Sequence, residues 1–365
     1  MTDEVSINFL TLNCWGIPYV SKNRNARMEA IAEKFATGDY DIICLQEVWS
    51  VNDFKMMKSK MQEQLPYSHY FHSGVLGSGI CILSRYPILD VMFHKWPLNG
   101  YVHKIHHGDW FGGKGIGLCR IKILDMKINI YIAHLHAEYN RHNDEYIAHR
   151  ILQAFDTAQF IRVTSGGSDA TILGGDLNTE PQDLAYRIIR GVAGLTDACS
   201  NSSSNLGTNE CANNSYTSSK VARRLPEGKR IDHIFYRGSK NVKIDVTNYQ
   251  HPFPKRVPYK NFSYSDHEAV MASFKIRSGE CLSTAIQPRY LYFKLYINLR
   301  TFNSYAIKYI LCIGLNVGRI FLTAIFCYIL FMSTIWNSVE RNALTAGCLA
   351  MEIYLTQLTN NLCKA

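Results

Sequence analysis

No two of the eleven cysteines stand at CxxC or zinc-ribbon spacing, which argues against a thioredoxin-type redox centre and a structural zinc site. The glycine-rich stretch Trp110–Lys114 lacks the Gly-Lys-Ser/Thr ending of a Walker loop. No segment repeats, and no secretory leader is expected, because the polar Met1–Glu4 runs straight into the short strand-like Val5–Leu12. The cysteines, several within apolar runs (Cys44, Cys81, Cys119), therefore read as buried free thiols in a reducing compartment. Charged residues make up only 19% of the chain against 47% hydrophobic, which suits a packed core and excludes bulk disorder. What charge there is sums to +9. That balance suits nucleic acid, an anionic membrane surface or a phosphate-rich substrate without choosing among them.

The 365 residues allow one large domain and an appendage. From Ser6 to about Ile276, short β-rich runs alternate with amphipathic helices. Strands are expected at Ile7–Leu12, Ile42–Leu45, Gly79–Leu83, Ile128–Ala133, Thr171–Gly174, Ile231–Tyr236 and Val270–Ile276. Helices are expected at Arg24–Thr37, Val51–Gln64, Asn143–Arg162 and Pro181–Gly191; Ile147, Ile151, Phe155 and Ala158 mark a face packed on a sheet. Asn201–Ser219, rich in Ser and Asn, reads as a loop.

Composition changes after Gly279, so a catalytic domain is expected over 1–279 and a basic, aromatic linker over 280–304. A hydrophobic membrane segment follows over 305–340, with a short tail over 341–365. Ile320–Trp336 holds seventeen residues without a charge, which would rise roughly 25 Å as a helix. One span is expected there; Tyr305–Val317 is the candidate for a second, short and flanked by Lys308 and Arg319. Basic residues precede the span, so the catalytic domain should face the cytosol.

Four motifs follow strand-like runs in fixed order: Asn13-Cys14-Trp15-Gly16, Gln46-Glu47-Val48-Trp49, Gly175-Asp176-Leu177-Asn178 and Ser265-Asp266-His267. They bring carboxylates, carboxamides and an imidazole to one sheet edge, a set suited to metal-assisted attack of water on a phosphoester. Such hydrolysis needs a cation on the non-bridging oxygens, a base for water and an acid for the departing oxygen. Glu47, with Asn13 and Asp266, is the expected metal site, and an all-oxygen set favours Mg²⁺, with Mn²⁺ as the alternative. Asp232 would orient His267 as general base. His134 is the candidate acid or phosphate-binding group; the assignment is geometric, and the reverse stays open. Asp176 would orient the water and Asn178 donate to the phosphoryl oxygen. His134 and His136 alternate at a strand end and share a face, His136 serving either the substrate or a supporting role.

On these motifs, and on LNCWGIPYV (Leu12–Val20), SGVLGSGI (Ser73–Ile80), HHGDWFGGKG (His106–Gly115), HLHAEYNR (His134–Arg141) and RID (Arg230–Asp232), the chain resembles neutral sphingomyelinases of the membrane-anchored, Mg²⁺-dependent animal type. These belong to the deoxyribonuclease/exonuclease–endonuclease–phosphatase superfamily. The resemblance implies a four-layer α/β sandwich of two facing mixed sheets flanked by helices, with a C-terminal transmembrane helical tail. It implies Glu47 assisted by Asn13 at the metal, His134 and His267 as catalytic histidines, and Asp176 with Asn178 around the phosphate. Asp109 and Lys114 occupy the family's Asp-x4-Lys loop, where the lysine meets the substrate phosphate and the aspartate restrains it. Trp110 and Phe111 on that loop suit a phosphocholine head, since aromatic faces attract quaternary ammonium. The implied reaction splits sphingomyelin into ceramide and phosphocholine at a bilayer, with anionic phospholipids as further membrane contacts and no nucleic acid partner. The family usually carries a clear two-span hairpin; here the tail is interrupted by charge. The same chemistry on a lysophospholipid or platelet-activating-factor-like head, and a nuclease, are the rival readings.

Overall fold

The computed structural model describes residues 4–104, 107–141, 143–201 and 207–278. In chain order the elements are β1 (Glu4–Asn13), α1 (Arg24–Ala36), β2 (Ile42–Gln46), α2 (Val51–Lys60), β3 (Tyr67–Tyr70), β4 (Cys81–Ser84), β5 (Ile88–Lys95), β6 (Gly115–Ile123) and β7 (Met126–His134). They continue with α3 (Ile147–Thr164), β8 (Ala170–Asp176), α4 (Leu184–Ala193), β9 (Thr196–Asp197), α5 (Ser219–Arg224), β10 (Asp232–Gly238), β11 (Val242–Gln250) and β12 (Val270–Ser278).

The strands form two six-stranded mixed sheets, ordered β11-β12-β1-β2-β4-β3 and β5-β6-β7-β8-β10-β9. Strand alternation builds the layers. On β1, Val5, Ile7 and Phe9 enter the core between the sheets, while Leu10 and Leu12 join Met28, Ile31 and Phe35 of α1 on the outer face. On β2, Ile42 and Cys44 face inward and Ile43 and Leu45 outward, which explains why its apolar run is continuous. The second sheet repeats the scheme. Ile128, Ile130 and Ile132 of β7 point into the sandwich, whereas the Tyr131 hydroxyl reaches Thr164 of α3 at 2.7 Å and Phe235 of β10 packs on Tyr186 of α4. The result is the expected arrangement of two facing mixed sheets flanked by helices.

The sequence under-reads the strands. β3, β5, β6, β9 and β11 lie outside the expected set, and α2 and α3 are shorter than expected. β6 is hidden by Gly115 and Gly117, residues that argue against a strand. Here Gly117 is required, because a Cβ would stand 2.6 Å from the Phe71 ring. β5 is an edge strand with Leu89 to Met92 exposed, so it carries no clean alternation. The expected linker, membrane segment and tail over 280–365 lie outside the described residues; among those described, no helix is long and apolar enough to cross a membrane.

Candidate active site

Strand register gathers the site. β1 and β2 run parallel with Asn13 opposite Gln46, so Asn13 and Glu47 leave the first sheet side by side. β7 and β8 run parallel with His134 opposite Asp176, and β10 runs antiparallel with Asp232 opposite Asp176. His134, Asp176 and Asp232 thus stand in a row across the end of the second sheet. Asp266 and His267 arrive just before β12, which pairs with β1 from Val270 opposite Thr11 onward.

The turn after each strand is tightly specified. Glu47 has φ 56°, a left-handed conformation uncommon for its residue type, and Asn178 has φ 46°, which asparagine tolerates better than most residues. The Glu47 carbonyl accepts from Gly16 N–H at 3.0 Å, and a Cβ on Gly16 would lie 2.2 Å from that oxygen. This close approach accounts for the glycine of the Asn-Cys-Trp-Gly motif. The Ser265 hydroxyl donates to the Asn13 carbonyl at 2.7 Å, tying the first and last motifs together.

At the centre, His267 Nδ1 is 2.8 Å from Asp232 Oδ2, and its Nε2 is 3.9 Å from Asp176 Oδ2. His134 Nε2 approaches the same Asp176 oxygen at 3.5 Å and Glu47 at 4.0 Å. Two imidazoles therefore flank one buried carboxylate. Lys114 Nζ stands 3.5 Å from His134 Nε2 and 3.0 Å from Asp109 Oδ1. The other Asp109 oxygen accepts from the Tyr139 hydroxyl at 2.6 Å. Tyr139 lies inside the His134–Arg141 motif, yet nothing in its spacing singles it out; the signal was an aromatic hydroxyl near paired histidines.

The charges are strongly biased. Burial and repulsion from Asp266 raise the Glu47 carboxyl above its ordinary value, and burial also raises Asp266. Burial opposes a charge on His267, but Asp232, Asp176 and Asp266 together raise its proton affinity well above the usual imidazole range. Burial and the Lys114 ammonium lower His134 well below it. Asp109 is pulled below the usual carboxylate range despite its burial, chiefly by Lys114 and His136.

Three of the expected site residues are held by contacts of their own. Asn13 offers its amide nitrogen, not its oxygen: Nδ2 donates to Glu47 at 3.1 Å and to Asp176 at 2.9 Å, while Oδ1 accepts from Trp15 N–H at 2.9 Å. Through Nδ2 it bridges the two carboxylates as a donor. His136 has a fully buried side chain, stacks on Tyr146 at 3.9 Å and lies 3.5 Å from Asp109. Asn178 commits an amide hydrogen to the Leu135 carbonyl at 3.0 Å, and its backbone N–H caps Asp176 Oδ1 at 3.0 Å.

A divalent cation fits the Glu47–Asp266 side of the site. Among the described residues Glu47 Oε2 is buried with no hydrogen-bond partner, and burial raises the proton affinity of both carboxyls above its ordinary value. A second cluster, Asp176, Asp232 and His267, brings ligand atoms within 4.8 Å of one another. There Nδ1 of the imidazole is held by Asp232 while Nε2 faces Asp176, an arrangement that can handle a proton.

Residues 10–267 match the endonuclease/exonuclease/phosphatase family. A Drosophila melanogaster protein named putative neutral sphingomyelinase is 53% identical over 285 residues, covering 77% of this chain and 64% of its own length. Homo sapiens sphingomyelin phosphodiesterase 2 is 39% identical over 278 residues, 75% of this chain and 66% of its own length. The aligned chain thus spans slightly under two thirds of these relatives. Sphingomyelinase C from Streptomyces griseocarneus superposes with a TM-score of 0.56 at 18% identity, over 74% of this chain and 99% of that one, a likeness of fold. Matched family positions running from β1 to His267 make this chain a member of the endonuclease/exonuclease/phosphatase family, with proteins named as neutral sphingomyelinases among its relatives.

Proposed function

We propose that this chain is a Mg²⁺-dependent phosphodiesterase of phospholipase C type that hydrolyses sphingomyelin to ceramide and phosphocholine at a membrane surface. The observation that carries the chemistry is the buried Asp232–His267 pair, aimed by its Nε2 at the space beside Asp176. The substrate class rests on the relatives' names and on the Asp109–Lys114 loop, which presents a cation beside His134 with the half-exposed Trp110 next to it.

Water would add to phosphorus as the bond to the ceramide oxygen breaks. His267, oriented by Asp232, handles the proton at Nε2, and Asp176 holds the water between the two imidazoles. Lys114 meets the phosphate and His134 hydrogen-bonds the departing oxygen, which takes its proton from solvent while His267 releases the proton it took from water to solvent. Glu47 and Asp266 would hold a divalent cation, which neutralises non-bridging oxygens and offsets the carboxylates that otherwise keep His267 protonated. Mg²⁺ is the cation this oxygen set favours.

The uncharged stretch Ile320–Trp336 and the basic residues before it support an anchor within 305–340 and a catalytic domain, 1–279, facing the cytosol. Anchoring suits a bilayer-confined substrate by raising its effective concentration.

The test is phosphocholine release from sphingomyelin mixed micelles with and without Mg²⁺, comparing the native chain with His267→Ala. Lysophosphatidylcholine, platelet-activating factor and plasmid DNA run in parallel. Mg²⁺-dependent sphingomyelin cleavage that disappears in the variant is the expected result. Turnover confined to a lysolipid or to DNA would overturn the substrate, and no turnover of any substrate would overturn the activity.

A further inference from the structure

Arg27 is a fully buried cation whose planar head, among the described residues, bonds to backbone carbonyls alone. Nη1 donates to Cys14 at 2.7 Å and to Tyr264 at 3.2 Å, Nη2 to Trp15 at 2.7 Å, and Nε to Lys22 at 2.8 Å. The Trp15 ring lies over the guanidinium at 4.8 Å. One helical turn earlier, Arg24 Nε donates to Gly16 at 2.9 Å. One face of α1 thereby holds the carbonyls of three consecutive residues, Cys14 to Gly16, in a turn where Trp15 has φ 46°.

Among the described residues no carboxylate forms a direct ion pair with Arg27. Burying a charge without a counter-ion costs several kcal/mol, offset here by the four carbonyls the guanidinium satisfies. The carbonyls it does engage border Asn13 on one side and Ser265-Asp266 on the other, and the Tyr264 carbonyl lies 237 residues along the chain from Arg27 itself. Asp266 and Glu47 are the carboxylates whose fields reach it, behind that of the Tyr216 hydroxyl.

We infer that Arg27 is a positioning residue for divalent-cation binding: by clamping the Cys14–Trp15 turn to the Tyr264 carbonyl it sets the spacing of Glu47 and Asp266. A planar guanidinium spans both segments in a fixed geometry that a lysine ammonium cannot reproduce. The inference rests on the divalent-cation reading proposed above. Residues supporting a metal site from behind typically change affinity or activity about 10- to 100-fold when replaced.

The experiment titrates Mg²⁺ against the native chain, Arg27→Lys, Ser265→Ala and Glu47→Gln, reading the rise in unfolding temperature as well as phosphocholine release. Ser265→Ala cuts the parallel tie to the Asn13 carbonyl, together with that hydroxyl's bonds to Asp266 Oδ1 at 3.2 Å and from His267 N–H at 3.3 Å. Arg27→Lys should move both Mg²⁺ curves to about tenfold higher concentration or more, with turnover at saturating Mg²⁺ little changed. Ser265→Ala should move them the same way by less, and Glu47→Gln should abolish the thermal response. Mg²⁺ curves in Arg27→Lys that coincide with the native chain's overturn the inference; if that variant does not fold, coincident curves in Ser265→Ala do so. A native chain with no Mg²⁺ response at all overturns instead the cation reading beneath it.

Discussion

His267 Nδ1 and Asp232 Oδ2 meet at 2.8 Å, although 35 residues and a change of sheet separate them. The Asp232 side chain is completely buried and its other oxygen has no partner, so this contact is its principal electrostatic outlet. Asp232→Asn keeps the shape but removes the charge and can stabilise the wrong imidazole tautomer. Turnover should fall about 10²- to 10⁴-fold with the circular dichroism spectrum unchanged. A variant retaining more than half the native turnover would show that the pair is structural.

Lys114, Asp109 and Tyr139 form a chain of contacts at 3.0 and 2.6 Å leading away from His134. A hydrogen bond to a charged group contributes about 1.5–3 kcal/mol. Tyr139→Phe should therefore lower kcat/KM about tenfold or somewhat more, and Lys114→Met should lower it further. Steady-state kinetics on the sphingomyelin micelles decide this; equal kinetics for Tyr139→Phe and the native chain would remove Tyr139 from the restraint on Asp109.

Stability should weaken in mild acid through His233. Burial, aided by the Arg230 charge, lowers this imidazole from 6.5 to about 4, and its Nε2 bonds the Thr179 carbonyl at 2.8 Å in the neutral form. Between those values the unfolded chain binds the extra proton, so stability falls as pH falls through 6.5 towards 4 and returns as pH rises. The full contribution is about 3 kcal/mol. Glu47 and Asp266, raised in the fold, act oppositely, so the effect is read as a difference. Urea unfolding at pH 7 and pH 4.5 should show a smaller acid loss in His233→Gln than in the native chain, and equal losses would contradict the assignment.

Gly175 precedes Asp176 with φ 155°, and a Cβ there would stand 2.0 Å from the Ala133 carbonyl on the neighbouring strand. Gly175→Ala should force β7 and β8 apart, destabilising the fold by about 3 kcal/mol or more and displacing Asp176 from His134. Thermal unfolding measures the first effect and residual turnover the second; a melting temperature equal to the native one would refute the close approach.

Most site residues were legible because each stands where an apolar run stops. Ile42–Leu45 places Glu47 at a strand end and Thr171–Gly174 does the same for Asp176, and both strands are found there. Orientation was not legible. That Asn13 turns its nitrogen towards Glu47 depends on the Trp15 N–H claiming its oxygen, which no spacing reveals. His136 shares a strand face with His134 in the sequence pattern, but only the packing of Tyr146 shows that it is sealed off. Arg27 gave no signal at all, since an arginine in an amphipathic helix reads as solvated until the loops that bury it are placed.

The sequence by itself determined the strand alternation, the order of the motifs and the membership of the family, because hydrophobic periodicity and turn chemistry are local properties. The tertiary structure decided the charge pattern. His267 gains its proton affinity from Asp232 and Asp176 on the opposite sheet, and His134 loses its own to burial and to Lys114. Those fields depend on distances of a few ångströms between residues far apart in the chain, and such distances exist only after the two sheets have closed on one another.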